Sequence, residues 1–209
     1  MDRGEIVALI GPNGSGKSTT FLTLCGLIRP DAGAISFAGR PLRSDRGRTI
    51  ALIAETPDVY PLLTVWEHLA FAASLARIRD WSDRAGELLR GFGLDGERET
   101  LGSALSKGMR QKTLIAATIL AETPVLLLDE PMIGLDPLGQ RELRELLRDL
   151  RSRGHAIMFS THQLEAAEAL CDRVSILRDG SIIATGTLPE IHALGEGSLE
   201  DVFLQLTRR

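Results

Sequence analysis

The residues Gly11-Pro-Asn-Gly-Ser-Gly-Lys-Ser18 have the spacing G-x-x-x-x-G-K-[ST]. An apolar run, 6–10, precedes them and a helix-like segment, 19–27, follows. This is the strand–loop–helix setting in which that spacing cradles phosphate. Gly11, Gly14 and Gly16 let the backbone adopt φ > 0 and approach a ligand with no Cβ in the way. Successive N–H groups then form an anion nest, and the helix that starts near Lys17 adds unpaired N–H groups and the positive end of its dipole. Lys17 would reach the outer phosphates and the Ser18 hydroxyl would hold Mg²⁺. The plain structural alternative is a glycine turn that only links strand to helix.

Three further stretches carry chemistry. Val125-Leu-Leu-Leu-Asp-Glu130 is an apolar strand ending in two carboxylates, at the sheet edge where α/β proteins bind ligands. Strand neighbours point to opposite sides, so the two acids divide the work. Asp129 suits Mg²⁺ beside Ser18, and Glu130 suits a general base on an attacking water. Ser160-Thr161-His162 follows the next apolar run, and His162 would hydrogen-bond a γ-phosphate at the same edge. Leu105-Ser-Lys-Gly-Met-Arg-Gln111 is a second anion-ready helix start: Ser106 can cap it and Gly108 permits close approach. One nucleotide hardly needs two such helices from one chain, which suggests that the second serves a nucleotide on a partner subunit.

The elements that must hold these groups can be read from periodicity and turn residues. A strand at 34–38 and another at 49–53, separated by turns at 29–33 and 39–41 and followed by a turn at 54–57, read as a small antiparallel element. Thr64 can cap a helix over 65–78, Ser82 or Asp83 a second through Phe92, and a third begins near Gly108. The alternation then resumes with a strand at 125–128 and an amphipathic helix at 137–153, its Leu138, Leu143, Leu146, Leu147 and Leu150 inward. A strand at 156–159 and a helix at 163–171 follow; Asp179-Gly180 marks a hairpin between strands 173–177 and 181–184. Helical stretches at 189–194 and 198–206 come last.

These elements specify an α/β fold: a P-loop NTPase core with a mostly parallel sheet, a small antiparallel β element and an inserted helical subdomain. The expected division is 1–63 and 121–190 for the core, 64–120 for the helical subdomain and 191–209 for a helical tail. At 209 residues the chain can bury one sizeable core or a core plus a small subdomain. Its net charge of −4 speaks against a nucleic-acid partner held by bulk charge. No apolar run reaches the roughly 18 residues of a membrane span, and Met1-Asp-Arg-Gly-Glu5 does not read as a secretory signal. Cys25 and Cys171 fall in apolar helical patterns and read as small core residues in a reducing compartment.

In all of these motifs the chain resembles the ATP-binding subunit of ABC transporters, of the bacterial exporter type. Gly11 to Ser18 resembles the Walker A loop and Val125 to Glu130 the Walker B strand with its catalytic Glu. Leu105-Ser-Lys-Gly-Met-Arg-Gln111 is similar to the LSGGQ-type signature with Lys at its third position. Gly134-Leu-Asp-Pro137 resembles the D-loop and His162 the switch histidine. Arg178-Asp-Gly180 and Ser198-Leu-Glu-Asp-Val-Phe203 also look like the exporter group.

The resemblance implies ATP and Mg²⁺ as cofactors and ATP hydrolysis as the activity. It implies a homodimer, or a pseudo-symmetric heterodimer, closed head to tail around two nucleotides. Gly11, Asn13, Gly14, Ser15, Gly16, Lys17, Ser18 and Thr19 would hold one ATP, and Ser106, Gly108 and Met109 of the facing subunit would cap its γ-phosphate. Asp136 would couple the two sites; Ser18, Asp129 and Glu55 would serve Mg²⁺; Glu130, His162 and Glu55 would be catalytic. The helical lobe, with Val59-Tyr-Pro-Leu-Leu63, would dock a membrane-spanning permease subunit, placing the chain at the cytoplasmic face of the cell membrane. Cargo choice would belong to that permease.

Two departures are visible. Glu55 stands where the family has Gln, and an ionised carboxylate only accepts where an amide also donates. Relatives have some twenty more residues before the first strand, with an aromatic that stacks on adenine. The expectation is therefore an antiparallel element truncated at its N-terminus and loosely held adenine. The competing functions are a translation- or DNA-linked ATPase of the same fold and an inactive nucleotide-binding module. The first would carry two cassettes or a long coiled coil. Intact Lys17, Asp129, Glu130 and His162 argue against the second.

Overall fold

The computed structural model describes residues 1–42, 46–56, 58–195 and 197–207. Pro57 of the expected turn and Arg208 and Arg209 of the expected tail lie outside them. The chain divides into two compact units, Met1–Leu52 with Pro124–Glu130 and Leu147–Arg209, and Ile53–Thr123 with Pro131–Leu146.

The first unit is organised around β1, Ile6–Ile10, whose five residues are all buried. A strand that is apolar at every position fits the interior of a parallel sheet with both faces covered. β1 pairs in parallel with β6, Ala156–Thr161, on one side and β7, Arg173–Arg178, on the other. β5, Val125–Leu128, pairs in parallel with β6, and β8, Ser181–Thr187, pairs antiparallel with β7. With β4, Ile50–Ile53, beyond β5, the six-stranded order is β4-β5-β6-β1-β7-β8. The Asp179-Gly180 turn has φ of +49° and +75°, the doubly left-handed hairpin expected of that dipeptide.

Helix α1, Lys17–Cys25, sets Phe21 into a cluster with Leu9, Ile50, Val125, Leu127, Ala156 and Leu177. Helix α6, Leu164–Leu170, packs on β1 and β6, and α8, Leu199–Thr207, packs on α6 and on the short α7, Leu188–His192. Burial raises the Cys25 thiol to about 11 and the Cys171 thiol to about 12, so both stay protonated, as small core residues do.

In the second unit α2, Val65–Ala76, starts at a capping box in which Thr64 and Glu67 satisfy each other's backbone N–H. It packs against α4, Lys107–Leu120, which also contacts α3, Ser82–Gly91. His68 fastens the chain ahead of α2: Nδ1 donates to the Thr64 carbonyl and Nε2 accepts from the Tyr60 N–H.

Three local expectations are corrected. The small antiparallel pair is β2, Ser36–Phe37, with β3, Arg40–Pro41, where a turn was expected. The 49–53 run is instead β4 of the main sheet, because Ile50 and Ile53 are buried there and a two-stranded ribbon could not cover them. Neither Ser82 nor Asp83 caps α3; the cap position is Trp81, whose ring lies 4.9 Å from that of Trp66. In α5, Pro137–Ser152, the buried stripe is Leu143, Leu147 and Leu150; Leu138 is 62% exposed and Leu146 is half-buried. Five residues are about 140° from alignment on a 3.6-residue helix, which puts Leu138 off the Leu143 stripe.

Candidate functional site

The phosphate-type loop leaves β1 at Ile10 and ends where α1 begins. Gly11 is required by contact: a Cβ there would collide with the Leu177 carbonyl oxygen and stand 2.6 Å from Ser15 Oγ. Gly16 is required by conformation, with φ of +106°. The loop is braced internally by the Ser15 N–H on the Pro12 carbonyl at 3.2 Å. It is braced externally by the Gly180 N–H of the β7–β8 turn, which donates to the Ser15 carbonyl at 2.9 Å.

Lys17 is buried and its ammonium donates to the carbonyls of Gly11 at 2.8 Å and Pro12 at 3.2 Å. Gly16 has no side chain with which to cap α1, so the first-turn N–H groups lack the usual internal acceptor. Ser15 Oγ is buried and has no hydrogen-bond partner among the described residues. Unpaired donors at a helix start, an orphaned hydroxyl and an ammonium nearby make an environment that fits an anion. Asn13, Gly14, Ser18 and Thr19 are exposed around it.

The acids lie at the same edge of the sheet. Ile10 of β1 is opposite Thr161 of β6, and Leu128 of β5 is opposite Phe159 of β6. β1 and β6 therefore end level and β5 ends two residues earlier at the same edge, and the two loops leave that edge about two strand spacings apart across the sheet, roughly 10 Å. Asp129 and Glu130 are both buried. They do divide, but not by strand alternation: β5 ends at Leu128 and Glu130 takes a left-handed φ of +48°. That conformation costs a non-glycine residue about 1–2 kcal/mol. It is held by the Ser160 hydroxyl, which accepts from the Glu130 N–H at 2.9 Å and donates to Asp129 Oδ1 at 2.5 Å. Glu130 Oε1 lies 3.0 Å from Nδ1 of His162, an exposed ring. The Nδ1 proton occupies that contact, leaving Nε2 as the ring's second polar atom.

The second unit gathers the other group of sequence-expected residues. Ser106, Gly108, Met109, Lys112, Gly134 and Asp136 line one cleft of about 370 Å³. Ser106 is exposed, caps α4, and accepts from the Met109 N–H at 3.3 Å. Gly108 meets the Gly134 carbonyl, which a Cβ would approach to 3.1 Å. Asp136 Oδ1 accepts from the Gly139 N–H at 2.8 Å at the start of α5, so one of its oxygens serves the fold. Glu55 is exposed in a bend after β4, in this second unit.

Sequence reasoning missed two contributors. Gly180 was read only as a hairpin residue, and Ser160 only as part of the stretch that leads to His162. The signal for Ser160 was its position at the end of the apolar run neighbouring the acid-bearing strand; its partner follows only once β5 and β6 are aligned. Among the described residues no helix is long and apolar enough to cross a membrane.

Comparison with known proteins identifies the family. The ABC transporter family profile matches residues 1–133. The chain is 36% identical to the ABC-type transporter ATP-binding protein EcsA of Bacillus subtilis (strain 168), covering 100% of this chain and 87% of that one. It is 34% identical to the lipopolysaccharide export system ATP-binding protein LptB of Haemophilus influenzae, covering 91% and 83%. A solved structure described as the ATP binding subunit of an ABC transporter superposes with a TM-score of 0.92 at 41% identity, covering 98% of this chain and 89% of that one. The matched span takes in the glycine-rich loop, the signature stretch and the paired acids, and the chain belongs to the ABC transporter family as an ATP-binding subunit.

Proposed function

We propose that the chain hydrolyses ATP to ADP and phosphate and so powers substrate translocation through partner membrane subunits. The observation that carries this reading is the shared sheet edge at which β1, β6 and β5 end, which brings the loop, His162 and the acid pair to one side. Lys17 and the N–H groups of Gly14 to Thr19 bind the phosphates. The orphaned Ser15 hydroxyl and the uncapped start of α1 support that role. Ser18 and Asp129 supply the oxygen donors that Mg²⁺ takes. Phosphate and water would supply the rest of its ligands. When bound, Mg²⁺ offsets phosphate charge. Glu130 accepts the proton of the attacking water, and His162 fixes the Glu130 carboxylate through Nδ1.

The rest of the reading concerns partners. Ser106, Gly108 and Met109 close over the nucleotide of a second copy, and Asp136 couples the two sites. The exposed Ser106 and the cleft it lines support that use. Exposed Tyr60, Leu62, Phe71 and Leu75 on the second unit support docking of an apolar segment of a membrane subunit. Export is the direction favoured by Lys107 in the signature, while the relatives include both an export subunit and energy-coupling factor subunits.

Glu130→Gln tests the proposal. The variant is expected to bind ATP, to turn over at least ~100-fold more slowly, and to accumulate as a dimer by size exclusion. A monomer with wild-type turnover overturns it. Copurification with a polytopic membrane protein, followed by transport in vesicles of known orientation, tests the coupling and the direction.

A further inference from the structure

We propose that Ser160 is the positioning residue of the acid pair and that its hydroxyl sets the affinity of the site for Mg²⁺. The proposal rests on the reading that Asp129 carries the ion. Ser160 is fully buried at the end of β6, between the strand that bears the acids and the strand that feeds the loop. A hydroxyl has one proton and two lone pairs. Here the proton goes to Asp129 Oδ1, and a lone pair takes the N–H of Glu130. Both bonds are local to the pair, and neither is part of the β5–β6 ladder.

Two consequences follow from that geometry. A carboxylate in a turn rotates about its terminal bond unless it is tied, and Oδ1 is tied. Oδ2 has no hydrogen bond among the described residues and stays available as a donor to a cation. The second bond holds the peptide of Glu130 in its left-handed conformation, so the general base is aimed by the same atom that orients the metal ligand. Removing such a partner behind a metal ligand typically weakens the metal by about 10–100-fold. The hydrogen bonds of the Lys17 ammonium go to the Gly11 and Pro12 carbonyls and do not involve Ser160.

The test measures ADP binding to the purified chain by calorimetry, in EDTA and across a Mg²⁺ titration. Ser160→Ala is expected to bind ADP in EDTA within about twofold of wild type, while its half-saturating Mg²⁺ rises about tenfold or more. Ser175→Ala is the control. It removes another buried hydroxyl of the same sheet, bonded to Thr185 at 3.0 Å, and should shift neither quantity. Ser160→Cys, nearly isosteric and a weak donor, carries the same expectation should the alanine variant be too unstable to titrate. Unchanged half-saturating Mg²⁺ in a folded Ser160 variant overturns the proposal. So does an equal loss in EDTA, which would make Ser160 merely structural. If Asp129→Asn leaves Mg²⁺ binding intact, the underlying assignment of the metal ligand fails first, and this proposal with it.

Discussion

The two helix starts proposed to meet phosphate are built differently. Helix α1 follows Gly16, which has no side chain to offer, and the buried Ser15 hydroxyl beside it has no partner among the described residues. Helix α4 follows Ser106, whose own hydroxyl accepts from the Met109 N–H. A cap of that kind contributes about 1 kcal/mol. The first helix forgoes it, and its loop is steadied instead by Lys17 on two carbonyls and by Gly180 on the Ser15 carbonyl. An uncapped start is preorganised to receive a ligand as its missing acceptor. A self-capped start has already committed one donor, the Met109 N–H, to its own hydroxyl and has fewer left for something brought against it. The difference supports the proposal that the first binds within one chain and the second acts on a partner's nucleotide.

The largest expected effect comes from Lys17→Ala, which removes the ammonium from the uncapped helix start. Nucleotide affinity should fall about a hundredfold or more, the order of losing charge-assisted contacts worth about 3 kcal/mol. Unchanged affinity by equilibrium binding would break the comparison at its stronger end. Ser106→Ala should lower stability by about 1 kcal/mol in denaturant melts and slow turnover several-fold, while ADP affinity of the isolated chain stays within about twofold. A large loss of ADP affinity would place the two helix starts in the same role. The smallest effect is expected from Glu55→Gln, an exposed position in the second unit. ATPase activity should stay within about tenfold of wild type; a collapse of turnover would make the carboxylate itself essential.

Legibility in the sequence followed the locality of each signal. The glycine-rich turn, the Thr64 cap and the Asp179-Gly180 hairpin are each written within a few residues, and each forms where it was expected. The run at 49–53 is equally apolar on its own whether it pairs with a neighbour in sequence or joins β5, so its assignment to the antiparallel pair failed. Leu138 is apolar, but it lies at the first turn of α5 and out of phase with the buried stripe. The acid pair was visible as chemistry, but the turn that separates its members and the serine that ties them needed two strands side by side.

The pairing of β1 bears on how the chain is made. Its two neighbours, β6 and β7, lie about 150 and 165 residues further along. A ribosome adding roughly 5–20 residues per second would leave this apolar strand without either neighbour for on the order of 10–30 s. Closing so distant a pairing is also entropically slow. During that interval β1 is the segment most in need of a chaperone. The glycine-rich loop waits as well, because Gly180, which braces it, is synthesised later still.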